Sequence, residues 1–279
     1  MFIKCWGSRG SIPVSGSEYV RYGGDTTCIE IRSDNNAIIV VDAGTGLRRL
    51  GNALIAEQAE SMDFIFTHAH WDHLMGFPFF KPLYHDNVTL RMQGCPFARV
   101  YVEKLISRVM APPNFPVTYA ELKAKLVYEK VCPTRMDIDS VSIHPIPISH
   151  PNRGAGYKFV EGGGTFVFLT DNELDHRHDG GRTYGDYLDF CRGADLLIHD
   201  AEFTPKEYEL TRSWGHSVYT SVVKLAMEAG VRTLGLFHLN QDRVDNDMDE
   251  LVEAARKMVE KEGSDLEVVG VARDMVFRL

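Results

Sequence analysis

The sequence predicts an α/β fold in which a pair of mixed β-sheets is flanked by helices. Short apolar or alternating runs bounded by Gly, Asp and Asn fill the first two-thirds of the chain, which is typical of strands. Helical periodicity is clearest in the last third. No linker, charge block or repeat with a period of about 20–50 residues divides the chain. We therefore expect residues 1–279 to form one domain.

Strands and turns alternate along the first part of the chain. Residues 33–36 (Ser-Asp-Asn-Asn) and 161–164 (Glu-Gly-Gly-Gly) are turn formers, so each predicts a hairpin between two apolar runs. The predicted strands are Phe2–Trp6, Cys28–Arg32, Ala37–Val41, Met62–Thr67, Val141–Ile148, Tyr157–Val160, Thr165–Thr170, Leu196–His199 and Thr233–His238.

Two helices are predicted near the carboxyl end. Ser217 is the expected N-cap of the first, and Gly230 is its expected end. Acidic residues from Asp247 onward begin the second, where they favour the positive end of the helix dipole. A further helix is expected near residues 100–110, before a Pro-rich turn and another short helix.

Composition bounds the function. The 279 residues are 44% hydrophobic and 25% charged, which excludes a disordered chain. The net charge of −9 argues against a non-specific nucleic-acid binder, which carries a basic surface. The five cysteines are scattered without a C-x-x-C pair, and no apolar stretch resembles a signal peptide or a transmembrane helix. We therefore expect reduced thiols and a cytoplasmic protein without membrane contact.

Residues 67–73 (Thr-His-Ala-His-Trp-Asp-His) are the most informative stretch. They follow an apolar run, and four of them have metal-ligand side chains: His68, His70, Asp72 and His73. Residues two apart in an extended segment point the same way, so the first two histidines can hold one ion. Imidazole and carboxylate ligands suit zinc, iron or manganese. The alternative is a histidine-rich surface loop.

This H-x-H-x-D-H pattern at a strand end resembles the signature of the metallo-β-lactamase superfamily. The resemblance implies a four-layer αββα sandwich with a one- or two-metal site at one edge. It also implies further ligands at later strand ends, where this sequence has His150, Asp171 and His238. The implied ligand groups, bridged by Asp171, are His68, His70 and His150 for one ion and Asp72, His73 and His238 for the other.

Other motifs resemble the phosphodiesterase branch of that superfamily, which contains ribonuclease Z and small cyclic phosphodiesterases. They are residues 7–13, 22–28, 76–80, 195–201 and 215–217. In that branch the His of the last motif, Gly-His-Ser, handles phosphate, which implies this role for His216. Ribonuclease Z often carries a long arm that grips tRNA between the ligands that match His150 and Asp171. That interval is short here and already holds two predicted strands, so we expect a small cyclic phosphodiester rather than nucleic acid.

The chemistry of phosphodiester hydrolysis explains such a ligand set. Two divalent cations ~3.5–4 Å apart offset the charge of the ester and lower the pKa of a bridging water, which attacks phosphorus in line as hydroxide. Asp72 is the candidate that orients this nucleophile. His216 is the candidate general acid, a role worth about 10²–10⁴ in rate. Zinc is the expected ion, with manganese and iron(II) as alternatives.

Four more residues have candidate roles around this centre. Asp42 matches the family's supporting Asp behind the ligands, and Asp200 is expected to orient His216 or to support a ligand. Arg9 is a candidate phosphate contact, with a structural turn as the alternative. Phe115 is a candidate for stacking on a base, with a buried loop anchor as the alternative.

The sequence leaves three functions open. The first is hydrolysis of a small cyclic phosphodiester such as a cyclic nucleotide. The second is an RNA endonuclease like ribonuclease Z, whose binding would depend steeply on salt. The third is a sensor that binds nucleotide without consuming it. Dimers are common in the resembled branch, which leaves a homodimer open as the assembly.

Overall fold

A computed structural model describes residues 1–93, 103–113, 115–128 and 134–279. Two seven-stranded sheets pack face to face within these residues, and helices cover both outer faces. The predicted αββα sandwich is therefore confirmed. Cys95, Cys132, Asn114 and the start of the helix expected at residues 100–110 lie outside the described residues.

The first sheet combines antiparallel and parallel pairs. Its strands, in the spatial order β14-β1-β2-β3-β4-β5-β6, are β1 (Phe2–Gly7), β2 (Cys28–Arg32), β3 (Ile38–Val41), β4 (Ser61–Ile65), β5 (Thr89–Gln93), β6 (Lys125–Tyr128) and β14 (Val276–Arg278). Strands β3 to β6 run parallel, with Ile39 opposite Asp63. Strands β14, β1, β2 and β3 pair antiparallel.

The second sheet has the same mixture. Its strands, in the spatial order β13-β12-β11-β10-β9-β8-β7, are β7 (Met136–Ile138), β8 (Val141–Pro147), β9 (Ala155–Glu161), β10 (Gly164–Leu169), β11 (Leu196–Asp200), β12 (Thr233–Phe237) and β13 (Glu267–Gly270). Strands β10 to β13 are parallel, and β7 to β10 are antiparallel.

The helices lie on the two outer faces. They are α1 (Leu47–Ala56), α2 (Glu103–Val109), α3 (Tyr184–Cys191), α4 (Pro205–Thr211), α5 (Tyr219–Glu228) and α6 (Asp245–Lys261). Apolar side chains of α1 pack on the first sheet, and those of α3, α5 and α6 pack on the second. None of the described helices is both long enough and apolar enough to traverse a lipid bilayer.

The central core lies between the two sheets. Both inner faces contribute fully buried side chains such as Ile29 and Ile39 from the first sheet and Phe168 and Phe237 from the second. The rings of Phe168 and Phe237 meet edge to face at 5.3 Å. Successive side chains of these strands point to opposite faces, so one set packs between the sheets and the other set packs under the helices.

The helix α5 corrects one prediction and confirms another. Its N-cap is Val218 and not Ser217, because the Ser217 hydroxyl donates to the carbonyl of Asn172 and accepts the N–H of Leu174. Its end is as predicted, since Gly230 takes the left-handed conformation there with φ 64°. The Ser217 side chain thus cross-links the start of α5 to the loop after β10.

Candidate metal centre and active site

The candidate centre lies where parallel strands of both sheets end. Asp42 follows β3, residues 66–73 follow β4, Asp171 comes shortly after β10, and His238 follows β12. The carboxyl ends of parallel strands meet at one edge of a sheet, where loops collect functional side chains. Packing one sheet on the other brings the two edges together, so both halves of the chain supply the centre.

The seven side chains predicted as ligands meet in two groups. Within each group, the ligand atoms lie within 4.8 Å of one another; the groups are His68, His70 and His150, and Asp72, His73, Asp171 and His238. The Asp171 carboxylate touches both, because its Oδ1 lies 3.6 Å from His68 Nε2 and 3.2 Å from His238 Nε2. Its position between the groups is the one expected of a bridging ligand.

Asp42 lies on the side of His68 and His73 that faces away from the centre, where it orients His73 directly and His68 through Thr67. The Nδ1–H of His73 donates to Asp42 Oδ2 at 2.8 Å. The Thr67 hydroxyl also donates to Asp42, at 2.7 Å, and so presents a lone pair to Nδ1 of His68 at 3.1 Å. Because Nδ1 of both rings bonds to a partner on the outer side, Nε2 of both rings faces the centre.

Two other histidines are held in the same way by different partners. His238 Nδ1 donates to Glu202 Oε2 at 2.9 Å, and His150 Nδ1 donates to the carbonyl of Gly215 at 2.9 Å. Gly215 has φ 101°, and a Cβ there would lie 2.1 Å from His150 Nδ1, so only glycine fits beside this ring. Outer partners of this kind fix the tautomer and the orientation of metal-binding histidines.

The residues present fit a divalent metal ion. His68 Nε2 is buried and has no hydrogen-bond partner among the described residues, and the buried His73 Nε2 has only the carboxylate oxygens of Asp72 and Asp171 near it, each at 3.3 Å. An unsatisfied buried polar group costs about 1–3 kcal/mol, which a coordinated cation would remove. The donor set of imidazole nitrogens and carboxylates is the one that zinc, iron and manganese share.

Protonation in the first group also suits metal binding. Burial, reinforced by the nearby His73 charge, holds the pKa of His68 well below its usual range. Burial lowers the pKa of His150 to about 3. Both rings are therefore neutral at neutral pH, which is the form that binds metal.

The two carboxylates at the centre stay ionised. Burial alone would raise the pKa of Asp72 and of Asp171. The positive charge of His73 outweighs burial for Asp72, and those of His238 and His73 do so for Asp171, so both pKa values lie well below the usual range. Ionised carboxylates in a buried site attract cations.

His216 lies beside both groups. Its ring stacks on that of His238 with centroids 4.4 Å apart, and one of its nitrogens lies within 4.8 Å of ligand atoms of His150 and Asp171. Its Nδ1 donates to Asp200 Oδ2 at 2.8 Å, so Asp200 orients it. Burial would lower the pKa of His216, but the Glu202 and Asp200 carboxylates raise it to about 9.

Three residues of the centre have strained backbones. Asp42, Asp171 and His238 follow β3, β10 and β12 and have φ values of 62°, 53° and 55°. Left-handed conformations of non-glycine residues are uncommon and cluster at functional sites, at about 1–3 kcal/mol each. The same sharp turn at three strand ends directs these side chains into the space between the sheets.

Glu202 and Glu173 are supporting residues that the sequence analysis missed. Glu202 holds His238, and it comes two residues after Asp200, a spacing that could have pointed to it. Glu173 accepts the backbone N–H groups of Ser213 at 2.7 Å and Gly215 at 2.8 Å. These two N–H groups lie about 40 residues away in sequence, and no local pattern signals them.

The Arg9 side chain has structural partners, and no contact between it and the candidate ligands is found among the described residues. Its side chain is fully buried, and its guanidinium donates to the carbonyls of Gly23, Asn240 and Arg243. This is the structural-turn alternative, since Arg9 joins three chain segments. The Ser11 N–H nearby does reach the centre, where it donates to Asp72 Oδ2 at 3.0 Å.

Phe115 is half-buried, so its side chain is neither a fully buried loop anchor nor a fully exposed ring open to a base. Its ring meets the exposed Phe79 edge to face at 5.5 Å, and it packs against the core on the outer face of the first sheet. No contact between Phe115 and the candidate ligands is found among the described residues.

A family profile described as "Beta-lactamase superfamily domain" matches residues 38–239, which span the candidate centre. The chain belongs to this family. Membership confirms the predicted resemblance and fold, and it confirms the predicted class of enzyme, a hydrolase of the metallo-β-lactamase type.

The curated relatives of this family member include ribonucleases. The ribonuclease Z of Picrophilus torridus is 22% identical over 92% of this chain and 90% of its own length. That of Haloarcula marismortui is 25% identical over 92% of this chain and 91% of its own length. The prediction that nucleic acid is an unlikely partner therefore finds no support in these relatives.

Solved structures of the same fold cover the whole chain. The metallo-beta-lactamase fold protein YhfI from Bacillus subtilis superposes with a TM-score of 0.72 at 20% identity, over 99% of this chain and 98% of that one. Human tRNase Z, short form, superposes with a TM-score of 0.65 at 17% identity, over 100% of this chain and 99% of that one. Yeast PDE1 superposes with a TM-score of 0.66 at 15% identity, over 100% of this chain and 99% of that one. These likenesses show the shared fold.

Proposed function

We propose that this protein is a metal-dependent phosphodiester hydrolase whose substrate is a small phosphodiester, with a cyclic nucleotide as the leading candidate. One observation supports it most. Two ligand groups share Asp171, and His216 lies against both of them. A pair of divalent ions bridged in this way suits an anionic substrate that must be attacked by water.

The proposed ligands are the seven side chains of the two groups. When bound there, divalent ions would neutralise the phosphodiester charge and make water more acidic. Zinc is the proposed ion, with manganese and iron(II) as alternatives. The free, buried thiols of Cys5, Cys28 and Cys191 support the reduced, cytoplasmic setting proposed for the protein.

Asp72 and His216 have the proposed catalytic roles. Asp72 Oδ2 lies 3.2 Å from His238 Nε2 and accepts the Ser11 N–H, so its carboxylate is fixed in direction and can orient the attacking water. Asp200 holds the Nδ1 side of the His216 ring, so the other nitrogen is free to give a proton to the leaving oxygen.

The hairpin between the second and third ligand segments, His150 and Asp171, supports a small substrate. Strands β9 and β10 pair from Gly164 with Glu161 to Phe168 with Tyr157, joined by a tight turn at Gly162 and Gly163. These strands fill the interval in which ribonuclease Z often carries its tRNA-gripping arm. The net charge of −9 agrees with this preference.

A substrate panel tests the proposal. The purified protein, loaded separately with zinc, manganese and iron(II), is assayed on 2′,3′- and 3′,5′-cyclic nucleotides, on bis(p-nitrophenyl) phosphate and on precursor tRNA. We expect metal-dependent turnover of the small esters that chelation abolishes. No metal-dependent turnover of any substrate would contradict the proposal, and nucleotide binding without turnover would favour the sensor.

A ribonuclease Z-like RNA endonuclease is the second candidate, because both curated relatives above are ribonuclease Z. This function predicts cleavage of precursor tRNA at a rate far above that of the small esters. It also predicts RNA binding that weakens steeply as salt is raised, since phosphate contacts release counterions. The same panel therefore separates the two functions.

A further inference from the structure

Exposed apolar side chains are concentrated around the candidate centre. Seven large apolar residues are exposed among the described residues, and three of them lie within two residues of a group at the centre, with exposed fractions above half: Ile12 53%, Trp71 59% and Trp214 62%. Isolated exposed apolar residues are normal on protein surfaces. A concentration of them beside a polar site instead indicates a binding surface.

The two tryptophans belong to the first ligand group's side of the centre. Trp71 directly follows His70, and Trp214 directly precedes Gly215, whose carbonyl accepts from His150 Nδ1 at 2.9 Å. His70 Nδ1 and His150 Nε2 are 3.1 Å apart. The backbones that carry the two indoles are therefore connected through one pair of candidate ligands.

Both indoles stand on anchored backbone. Trp71 begins a 3-10 turn, Trp71–His73, and its carbonyl accepts the N–H of Leu74 at 3.0 Å. The N–H groups on either side of Trp214 are bound by the buried Glu173 carboxylate. Aromatic side chains presented on fixed backbone lose little entropy when a ligand packs on them.

Building on the proposed function, we propose that Trp71 and Trp214 form a nucleobase subsite, so that the substrate is a nucleotide phosphodiester and not an ester without a base. The polar centre would receive the phosphate while a base stacks on an indole. Aromatic faces accept any base, so this subsite selects for the presence of a base more than for its identity. Stacking of this kind changes affinity by about ten-fold or more per base.

Two esters with the same leaving group test the subsite. The metal-loaded enzyme is assayed on thymidine 5′-p-nitrophenyl phosphate and on methyl p-nitrophenyl phosphate, which lacks a base. In Trp71→Ala and Trp214→Ala we expect KM for the nucleoside ester to rise about ten-fold relative to KM for the methyl ester, with kcat nearly constant. Trp71→Phe and Trp214→Phe should restore most of the affinity. Val20→Ala is the control, because Val20 is as exposed as Trp214 but lies on another loop.

Fluorescence gives a second readout that needs no turnover. The remaining tryptophan, Trp6, is buried and donates its indole N–H to Glu30, so quenching by a ligand at the surface reports Trp71 and Trp214. We expect adenosine monophosphate to quench the emission and ribose 5-phosphate to leave it unchanged.

The outcomes separate the two proposals. Variants that change KM for both esters equally, or for neither, would overturn the subsite while the hydrolase stands. If neither ester is hydrolysed, the substrate panel decides whether the proposed function fails, and the titration alone decides the subsite. The subsite is supported if adenosine monophosphate quenches the emission of the parent protein and this quenching is lost in both alanine variants. The subsite is overturned if adenosine monophosphate and ribose 5-phosphate change the emission equally.

Discussion

Three histidines of the candidate centre use their two ring nitrogens in the same way, whereas His70 turns Nδ1 toward His150 and Nε2 toward Asn152. Nδ1 of His73, His150 and His238 bonds to a carboxylate or carbonyl behind it, and Nε2 faces the centre. His216 departs from this scheme only in its position, because Asp200 holds its Nδ1 while its ring stacks on His238. Position, more than residue type, therefore separates the proposed ligands from the proposed acid.

Two alanine variants should separate those roles. His68→Ala removes a buried ligand atom, so metal content and turnover should fall together. His216→Ala should keep the metal and lower turnover about 10²–10⁴-fold on esters with poor leaving groups. Elemental analysis and steady-state rates measure both quantities in the same samples. Full turnover by His216→Ala on a poor leaving group would rule out the acid role.

His199 should make the folded state sensitive to acid. It is buried, its Nδ1 donates to the Asp200 carbonyl, and burial lowers its pKa to about 4. A neutral ring stabilises the fold fully above the unfolded pKa near 6.5, and this contribution is lost as pH falls through 4. The free energy of unfolding that is lost in this way between pH 6.5 and pH 4 is about 3 kcal/mol.

Urea unfolding at several pH values measures this effect. Between pH 6.5 and 4, His199→Asn should lose less free energy of unfolding than the parent protein does. His85→Asn, at an exposed histidine, is the matched control and should keep the parent slope. Equal slopes for the parent and His199→Asn would show that His199 does not set the acid sensitivity.

The loop that precedes α5 is the element on which the centre depends most. Glu173 accepts four hydrogen bonds, from Tyr208, Ser213, Gly215 and His178. The loop in turn supplies the Gly215 carbonyl to His150 and carries His216. A carboxylate outside the ligand set thus fixes the positions of a proposed ligand and of the proposed acid.

Glu173→Gln should loosen this loop. An amide cannot accept all four bonds, and each buried group left unsatisfied costs about 1–3 kcal/mol. We expect a lower melting temperature and a kcat reduced more than KM is raised, measured by calorimetry and initial rates. Asp175→Asn is the matched control, since Asp175 is exposed and only bonds to Ser221 among the described residues. Equal behaviour of the two variants would contradict the positioning role.

Elements with a strong local pattern could be predicted, and those fixed by distant partners could not. The apolar runs of β2, β10 and β12 have almost the predicted bounds, because buried strands read as short hydrophobic stretches. The predictions omit α1, α3 and α4. The last of these has no buried residue, so no apolar stripe marks it.

Two side chains have partners that their local sequence does not indicate. The Arg9 guanidinium bonds to carbonyls of Asn240 and Arg243, more than 230 residues away in sequence. The Ser217 hydroxyl bonds to the loop after β10 instead of capping α5. Both side chains are typical of the roles predicted for them, and only tertiary contacts decide otherwise. The seven proposed ligands remain a prediction: four lie in one compact motif, and the family resemblance implies the other three near later strand ends.

At the scale of the whole molecule, the centre joins the two sheets. His68, His70, Asp72 and His73 come from the first sheet's loops, and His150, Asp171 and His238 come from the second's. A metal bound only by the folded state stabilises that state by mass action. Ligands drawn from both sheets transmit this stabilisation to the interface between them.

Removing the metal should therefore lower the melting temperature of the entire chain. We expect chelation to shift a single calorimetric transition downward and re-added zinc to restore it, since residues 1–279 are predicted to form one domain. His68→Ala, which is expected to bind little metal, should show a smaller shift. Two separate transitions would contradict the single domain, and an unchanged transition would contradict metal binding by the folded state.

The order of the ligands along the chain has a consequence for biosynthesis. The four residues of the first motif leave the ribosome early, but His238 lies at the end of β12, far toward the carboxyl end. Chains are synthesised from the amino end, so for most of translation the nascent chain contains only part of the proposed ligand set. The proposed ligand set is therefore complete only after His238 has been synthesised, so the proposed site can select its ion only late in translation.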